Sequence, residues 1–188
     1  MNKNVLSTIG NTPLVKINER LYAKLETANP TGSIKDRIAY YMIAKAIKRG
    51  ELKTGDTIVE ATSGNTGIAL SMVGAVMGYK VKIIMPCNMS DERKQMMRMF
   101  GAEIVEVGPS DFKEAIRLRN EFALVDDFWS PQQFENHDNI ECHAETTAKE
   151  IIKQLFIGER KNIGAVICGA GTGGTIMGCY KALSKLDK

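Results

Sequence analysis

Paired cysteines, aromatic side chains and long apolar runs are what this sequence has least of. Its four cysteines, Cys87, Cys142, Cys168 and Cys179, stand far apart with no C-x-x-C pair. That spacing argues against a zinc site or a disulfide framework and fits free, buried thiols in a reducing cytoplasm. Aromatic residues make up only 6% of the chain and no basic tract is present, so neither base stacking nor a phosphate-binding stripe for nucleic acid is indicated. The longest apolar stretch, Ile68 to Gly78, is too short to span a bilayer. The opening MNKNVLST lacks the apolar run of a secretory signal. Of the two histidines, His137 and His143, neither has partners in a metal pattern, and His143 reads as a helix-surface or capping group. G-x-S-x-G and H-E-x-x-H are both missing, which leaves hydrolase readings without support.

What is present is an ordinary globular composition. The 188 residues are 44% hydrophobic and 25% charged with a net charge of +3, enough for one large domain or two small ones with a substantial core. The pattern alternates between strand and helix. LYAKLET (Leu21 to Thr27) reads as a strand ended by the turn residues Asn29 to Gly32. Ile38, Ala39, Met42, Ile43, Ala46 and Ile47 recur at helical spacing, and Gly50 supplies the stop. TIVEA (Thr57 to Ala61) is a short strand, and the helix Ile68 to Gly78 is apolar and small all round, hence buried. Val81 to Met85 is a strand stopped by Pro86. A helix opens at the N-cap Ser90 with two acids behind it and closes at Gly101; Met96, Met97, Met99 and Phe100 read as its packing residues. Glu103 to Val107 alternates as a strand, and Phe112 to Ala123 marks a helix. A polar irregular stretch, SPQQFENHDN, precedes a helix from about Ile140 to Leu155. Ala165 to Cys168 reads as a buried strand, GAGTGGT as a turn and Ile176 to Leu186 as a last helix. Repeated β-α-β units predict an α/β fold with parallel sheet and helices on both faces.

Three segments carry candidate chemistry. Gly169 to Thr175 (GAGTGGT) joins a strand to a helix. Its glycines let backbone N–H groups approach an anion, and the helix N-terminus adds favourable partial charge. Without the Gly-Lys-Thr of a P-loop, a monophosphate ester fits better than a nucleoside triphosphate; on spacing alone, a plain tight turn fits equally well. Lys35, in Ser33-Ile34-Lys35-Asp36-Arg37, falls in the first turn of a helix. There the dipole and partial burial would lower its pKa and favour the neutral amine nucleophile, although a lone lysine is more simply a solvated one. Thr62-Ser63-Gly64-Asn65-Thr66-Gly67 offers hydroxyls, an amide and free backbone donors around one point, a grip for a carboxylate. Alone it is an ordinary N-cap with glycine turns. Two donor-rich turns in one α/β chain place both at the carboxyl ends of strands, where they can face one crevice.

In order along the chain, Gly10-Asn11-Thr12-Pro13-Leu14-Val15, NPTGSIKDR, EATSGNTGIAL, PQQFEN, HAETTAKEI and GAGTGGT resemble the cysteine synthase (O-acetylserine sulfhydrylase) family of fold-type II pyridoxal-phosphate enzymes. The resemblance implies pyridoxal 5'-phosphate as cofactor. It implies Lys35 as the residue that holds it and later removes the substrate α-proton, and Asn65 as partner of its ring hydroxyl. Gly171, Thr172, Gly173, Gly174 and Thr175 would form its phosphate cradle. Thr62, Ser63, Gly64, Asn65 and Thr66, with Gln133, would take the substrate carboxylate. The implied reaction is replacement of the acetate of O-acetylserine by sulfide, giving cysteine, in a cytoplasmic homodimer; no metal is implied. The family's fold implies a small mobile domain, residues 36–139, on a larger PLP-binding domain formed by 1–35 and 140–188. Within the motifs, Thr31 and Ala61 stand where the family frequently has glycine and proline. The chain ends soon after the phosphate loop, where relatives continue with further strands and helices, including a serine on the pyridine nitrogen; this implies a truncated large domain. A second reading is a non-catalytic binding module that keeps the family's grip on the C-terminal tail of serine acetyltransferase through TSGNT. A third is one piece of a split protein. Within the enzyme class, O-phosphoserine sulfhydrylase, cystathionine β-synthase and threonine-dehydratase-like activities are the alternatives.

Overall fold

The structure is a computed structural model that describes residues 4–156 and 163–184. Its centre is a four-stranded parallel sheet built from β3 (Thr57–Ala61), β4 (Lys80–Pro86), β5 (Glu103–Val107) and β6 (Phe128–Trp129), in the order β5-β4-β3-β6. The register pairs Ile58 with Val81 and Ile83 with Ile104. A separate antiparallel pair, β1 (Leu14–Lys16) with β2 (Tyr22–Lys24), lies N-terminal to it. Strand periodicity sorts the core into two layers. Ile58, Val81, Ile83 and Met85 face a core shared with Ile38 and Met42 of helix α1 (Lys35–Arg49), Leu70 and Val73 of α2 (Asn65–Met77), and Met97 of α3 (Asp91–Met99). Val59, Ile84 and Val107 face the other side, where Ala115 and Phe122 of α4 (Phe112–Phe122) and Phe128 cover them. Helices on both faces of a parallel sheet are thus present as expected.

Beyond the sheet a continuous helical run links α5 (His137–His143), a π-helical turn at Ala144–Ala148 and α6 (Lys149–Phe156). Helix α7 (Gly174–Leu183) lies against α5 and the π turn. The approach is close because Gly178 has no side chain: a Cβ there would stand 2.6 Å from the Ile140 carbonyl. No helix among the described residues is long and apolar enough to cross a membrane.

Several expectations need correction. Ala165 to Cys168 forms no strand, and Ile167 is 90% exposed. An apolar run becomes strand only when a neighbouring ladder takes its N–H and C=O groups, and no described segment pairs with it. The strand from Leu21 shortens to Tyr22–Lys24, because Glu26–Ala28 turns into a 3₁₀ helix. Helices α2 and α5 each begin three residues earlier than the apolar pattern suggests, at Asn65 and His137. Polar Asn136 caps α5 by accepting the Asp138 N–H, which lets the helix start before its first apolar residue. Ser90 is the N-cap residue of α3 but makes no side-chain capping bond. Met97 is a core residue, whereas Met99 is 83% exposed on the opposite face. Cys142 and Cys179 are buried thiols, but Cys87 and Cys168 are exposed, one in the turn after β4 and the other in the unpaired stretch. The C-terminal end of the last predicted helix, Lys185 and Leu186, lies outside the described residues.

Candidate active site

Lys35 is the first residue of α1 and is held there by its neighbours in sequence. The Ser33 hydroxyl accepts the Lys35 N–H at 3.2 Å. Asp36 is fully buried and accepts the Thr31 N–H at 2.7 Å as well as the Thr31 hydroxyl, which ties down the Asn29–Ser33 loop. Arg37 is buried in an ion-pair clamp. Its guanidinium makes bidentate pairs with Glu26 (2.7 and 2.8 Å) and with Glu150 (2.7 and 2.8 Å), and Lys24 completes the Glu150 side at 2.7 Å. The Gly10-Asn11-Thr12 segment wraps this clamp. Asn11 N–H donates to Glu150, Thr12 donates to Glu26, and Gly10 takes a left-handed φ of 78° where a Cβ would lie 2.9 Å from Arg37 Nη1. The first motif therefore anchors the helix that presents Lys35. Lys35 itself is half-buried and forms no ion pair with another described residue. Burial pushes its ammonium below the usual lysine range, and the charge of Cys168 partly offsets this.

The other segments converge on this region. Asn65 is exposed at the start of α2, Gly64 is that helix's N-cap residue, and the Ser63 carbonyl accepts Arg93 at 3.4 Å. Thr62 is buried and continues the β3 ladder by donating its N–H to Ile84. The Thr66 hydroxyl donates to Gln133 Oε1 at 2.7 Å, so the TSGNTG turn and the PQQFEN segment are in direct contact. Asn139 then joins PQQFEN to the glycine turn: its Nδ2 donates to the Gln133 carbonyl and to Thr172 Oγ1, both at 2.9 Å. Gly173 is left-handed, with φ 78°, and leads into α7; Thr172 Oγ1 accepts the Gly174 N–H at 3.2 Å. His143 stands behind this turn, with Nδ1 2.9 Å from Thr147 Oγ1 and Nε2 3.3 Å from Thr175 Oγ1.

His143 is therefore no surface group but a buried one, 1% exposed. Burial, with the positive charges of Lys35 and Arg37, pushes it down to about 4, leaving a neutral ring at pH 7. The charge of Lys35 is thus felt at His143, the residue that stands behind the glycine turn. Sequence reasoning missed Asn139 and Glu60 as site supports. Glu60 is buried on β3, and its Oε2 accepts the Gln133 N–H at 3.2 Å. The sequence signal available was an acid inside an otherwise apolar strand, which is costly unless its oxygens are taken up.

These residues suit an aldehyde-bearing phosphate ester. An unpaired, half-buried amine opens one helix. A glycine turn opens another, with room around it, since a Cβ at Gly171 or Gly173 would meet nothing within 4 Å. An amine of this kind with two donor-rich turns in an α/β fold offers the parts that a cofactor-dependent enzyme scaffold uses. Residues 5–188 match the family model described as pyridoxal-phosphate dependent enzyme, and the chain belongs to that family. It is 46% identical over 190 residues to a cysteine synthase of Staphylococcus aureus, covering 97% of this chain and 60% of the relative. It is 44% identical to cysteine synthase B of Salmonella typhimurium, over 96% of this chain and 61% of the relative. Among solved structures, a hydrogen sulfide-producing enzyme from Fusobacterium nucleatum superimposes with TM-score 0.89 at 43% identity, over 99% of this chain and 62% of that one. Cysteine synthase from Entamoeba histolytica superimposes with TM-score 0.90 at 38% identity, over 99% and 58%. The chain thus spans about 60% of the length of the relatives it matches. The fold-type II α/β assignment and pyridoxal 5'-phosphate as the family cofactor follow.

Proposed function

We propose that this protein acts as a cysteine synthase, exchanging the acetate of O-acetylserine for sulfide to give cysteine. The observation that carries the reading is the chain Thr66–Gln133–Asn139–Thr172, which links the carboxylate-type turn to the glycine turn, together with a half-buried Lys35 amine that feels the charge of Cys168 just before that turn. Pyridoxal phosphate, when bound, supplies an electron sink for charge developing at the substrate α-carbon. Gly171, Thr172, Gly173, Gly174 and Thr175 hold the phosphate with backbone and hydroxyl donors at the start of α7. Asn65, the exposed first residue of α2, would partner the ring hydroxyl. Thr62, Ser63, Gly64, Asn65, Thr66 and Gln133 receive the substrate carboxylate and so orient the Cα–H bond. Lys35 would hold the cofactor covalently, and its Nζ, freed when the substrate amine takes its place, would accept the α-proton. Its lowered pKa keeps a larger fraction of the amine neutral near pH 7 than an exposed lysine would have. Departure of acetate from Cβ, entry of hydrosulfide at the same carbon and return of the proton from Lys35 Nζ to Cα complete the exchange.

Residues 36–139, which contain the whole parallel sheet, act in this reading as the small domain, with 1–35 and 140–188 contributing to the larger one. A homodimer in the cytoplasm, and a serine acetyltransferase tail as a competing occupant of the carboxylate turn, belong to the same proposal. The test is a visible absorption spectrum of the protein with added pyridoxal phosphate, beside Lys35→Ala, followed by assay of sulfide-dependent cysteine formation. A cofactor band in the parent that is missing in the variant, with turnover falling about 10²–10⁴-fold, is expected. A folded parent that stays colourless overturns the catalytic reading in favour of a binding module.

A further inference from the structure

Gln133 is fixed on three sides. Its main-chain N–H donates to Glu60 Oε2 at 3.2 Å, its main-chain carbonyl accepts Asn139 Nδ2 at 2.9 Å, and its side-chain Oε1 accepts the Thr66 hydroxyl at 2.7 Å. The preceding residue, Gln132, is held at a left-handed φ of 49°, a conformation that a non-glycine residue keeps only when its surroundings enforce it. Glu60 is well suited to enforce it. The carboxylate is buried at the C-terminal end of β3, one residue before Ala61 and two before the TSGNTG turn. Its other oxygen accepts the Ala61 N–H at 2.9 Å, and Arg119 balances its charge from 3.5 Å. Asn139 closes the opposite side and passes the constraint on to Thr172 in the glycine turn. With Oε1 committed to Thr66, the polar atom of Gln133 left for a ligand is Nε2, a donor suited to a carboxylate.

We propose that Glu60 and Asn139 are positioning residues that clamp the Gln133 peptide from both sides and so aim its carboxamide at the substrate carboxylate. The inference rests on the carboxylate-site reading above. Neither residue touches substrate in this account; each acts through Gln133. Glu60→Gln keeps one oxygen and turns the other into an amide donor, so the Ala61 and Gln133 N–H groups can no longer both be accepted, while the volume of the core is unchanged.

The test is a double-mutant cycle on the protein saturated with pyridoxal phosphate, titrated with L-serine by calorimetry, using the parent, Glu60→Gln, Gln133→Ala and the double variant. Amide hydrogen exchange of the peptide spanning residues 130–136 is measured alongside. Glu60→Gln is expected to weaken L-serine binding roughly tenfold and to speed exchange at the Gln133 amide. It should add little on top of Gln133→Ala, because both changes act through one side chain. Fully additive effects, or parent-like affinity in Glu60→Gln, overturn the proposal. Asn139→Asp, which removes the donor to the Gln133 carbonyl, is scored by the same cycle should Glu60→Gln fail to fold. If Gln133→Ala binds L-serine as tightly as the parent, the carboxylate site itself is wrong. The clamp is then judged on exchange alone, and an unchanged rate in Glu60→Gln overturns it.

Discussion

The sheet, residues 57–129, and the segment 163–184 are built from similar residues and treat them in opposite ways. In the sheet, Ile58, Ile83 and Ile84 are fully buried, each strand face covered by helices. In the later segment, Ile167 is 90% exposed and Tyr180 66%, and only Gly174, Gly178 and Cys179 are buried, where α7 meets α5. The candidate site is divided between the sheet with the elements beside it and the later segment. Lys35, Thr66 and Gln133 rest on a finished core, whereas the glycine turn is tied to it by side chains, Asn139 and His143 above all. Local order at the glycine turn therefore rests on a few polar contacts and the packing of α7 on α5, and at Lys35 and the TSGNTG turn on the larger core.

The largest expected stability effect sharpens this contrast. Arg37→Ala leaves Glu26 and Glu150 without their shared cation in a mostly buried clamp, and should cost about 3–5 kcal/mol in denaturant unfolding. A loss under 1 kcal/mol would mean that solvent already reaches the clamp. Next, Ile83→Ala should cost about 2–5 kcal/mol, while Ile167→Ser should stay within about 0.5 kcal/mol of the parent. A comparable loss at Ile167 would break the comparison, because something would then be covering that residue. A smaller effect separates two glycines of one turn. A Cβ at Gly174 would overlap Asn139 Oδ1, whereas at Gly171 it meets open space. Gly174→Ala should cost about 1–3 kcal/mol and weaken cofactor retention, with Gly171→Ala unchanged in thermal stability.

Acid is the gentlest probe. His143 is pushed down to about 4 by burial and by Lys35 and Arg37. Between that value and its unfolded pKa near 6.5, the unfolded chain holds more protons, so stability falls as pH drops through this window. For Glu150, burial acts upward, but hydrogen bonds from Arg37 and Lys24 prevail and hold it down to about 2. Its contribution is complete above about 4.5 and is lost as pH falls towards 2. Unfolding midpoints measured from pH 7 to pH 3 should decline across both windows, and His143→Gln should remove the upper part of the decline.

Much of the sheet was legible from local pattern: Thr57–Ala61 lies where a short β-type run puts it, and Glu103–Val107 where alternation does. Strand β6 was not legible, since two residues, Phe128 and Trp129, are strand only through their pairing with Thr57 and Ile58. Ala165 to Cys168 failed for the converse reason, an apolar run with no ladder beside it. Of the site, Lys35 at a helix start and the donor-rich turns could be read locally. Asn139 and His143 could not, and Glu60 showed only as an acid in an apolar strand, because their defining partners, Thr172, Thr175 and Gln133, lie 32 to 73 positions away.

The central claim is that Lys35 is the amine that takes the cofactor. It is tested most directly by treating the protein with pyridoxal phosphate, reducing with borohydride and mapping the modified peptide by mass spectrometry. The account predicts a stable pyridoxyl label on Lys35 at near one equivalent. A label spread over other lysines, or none on a folded protein, would contradict it.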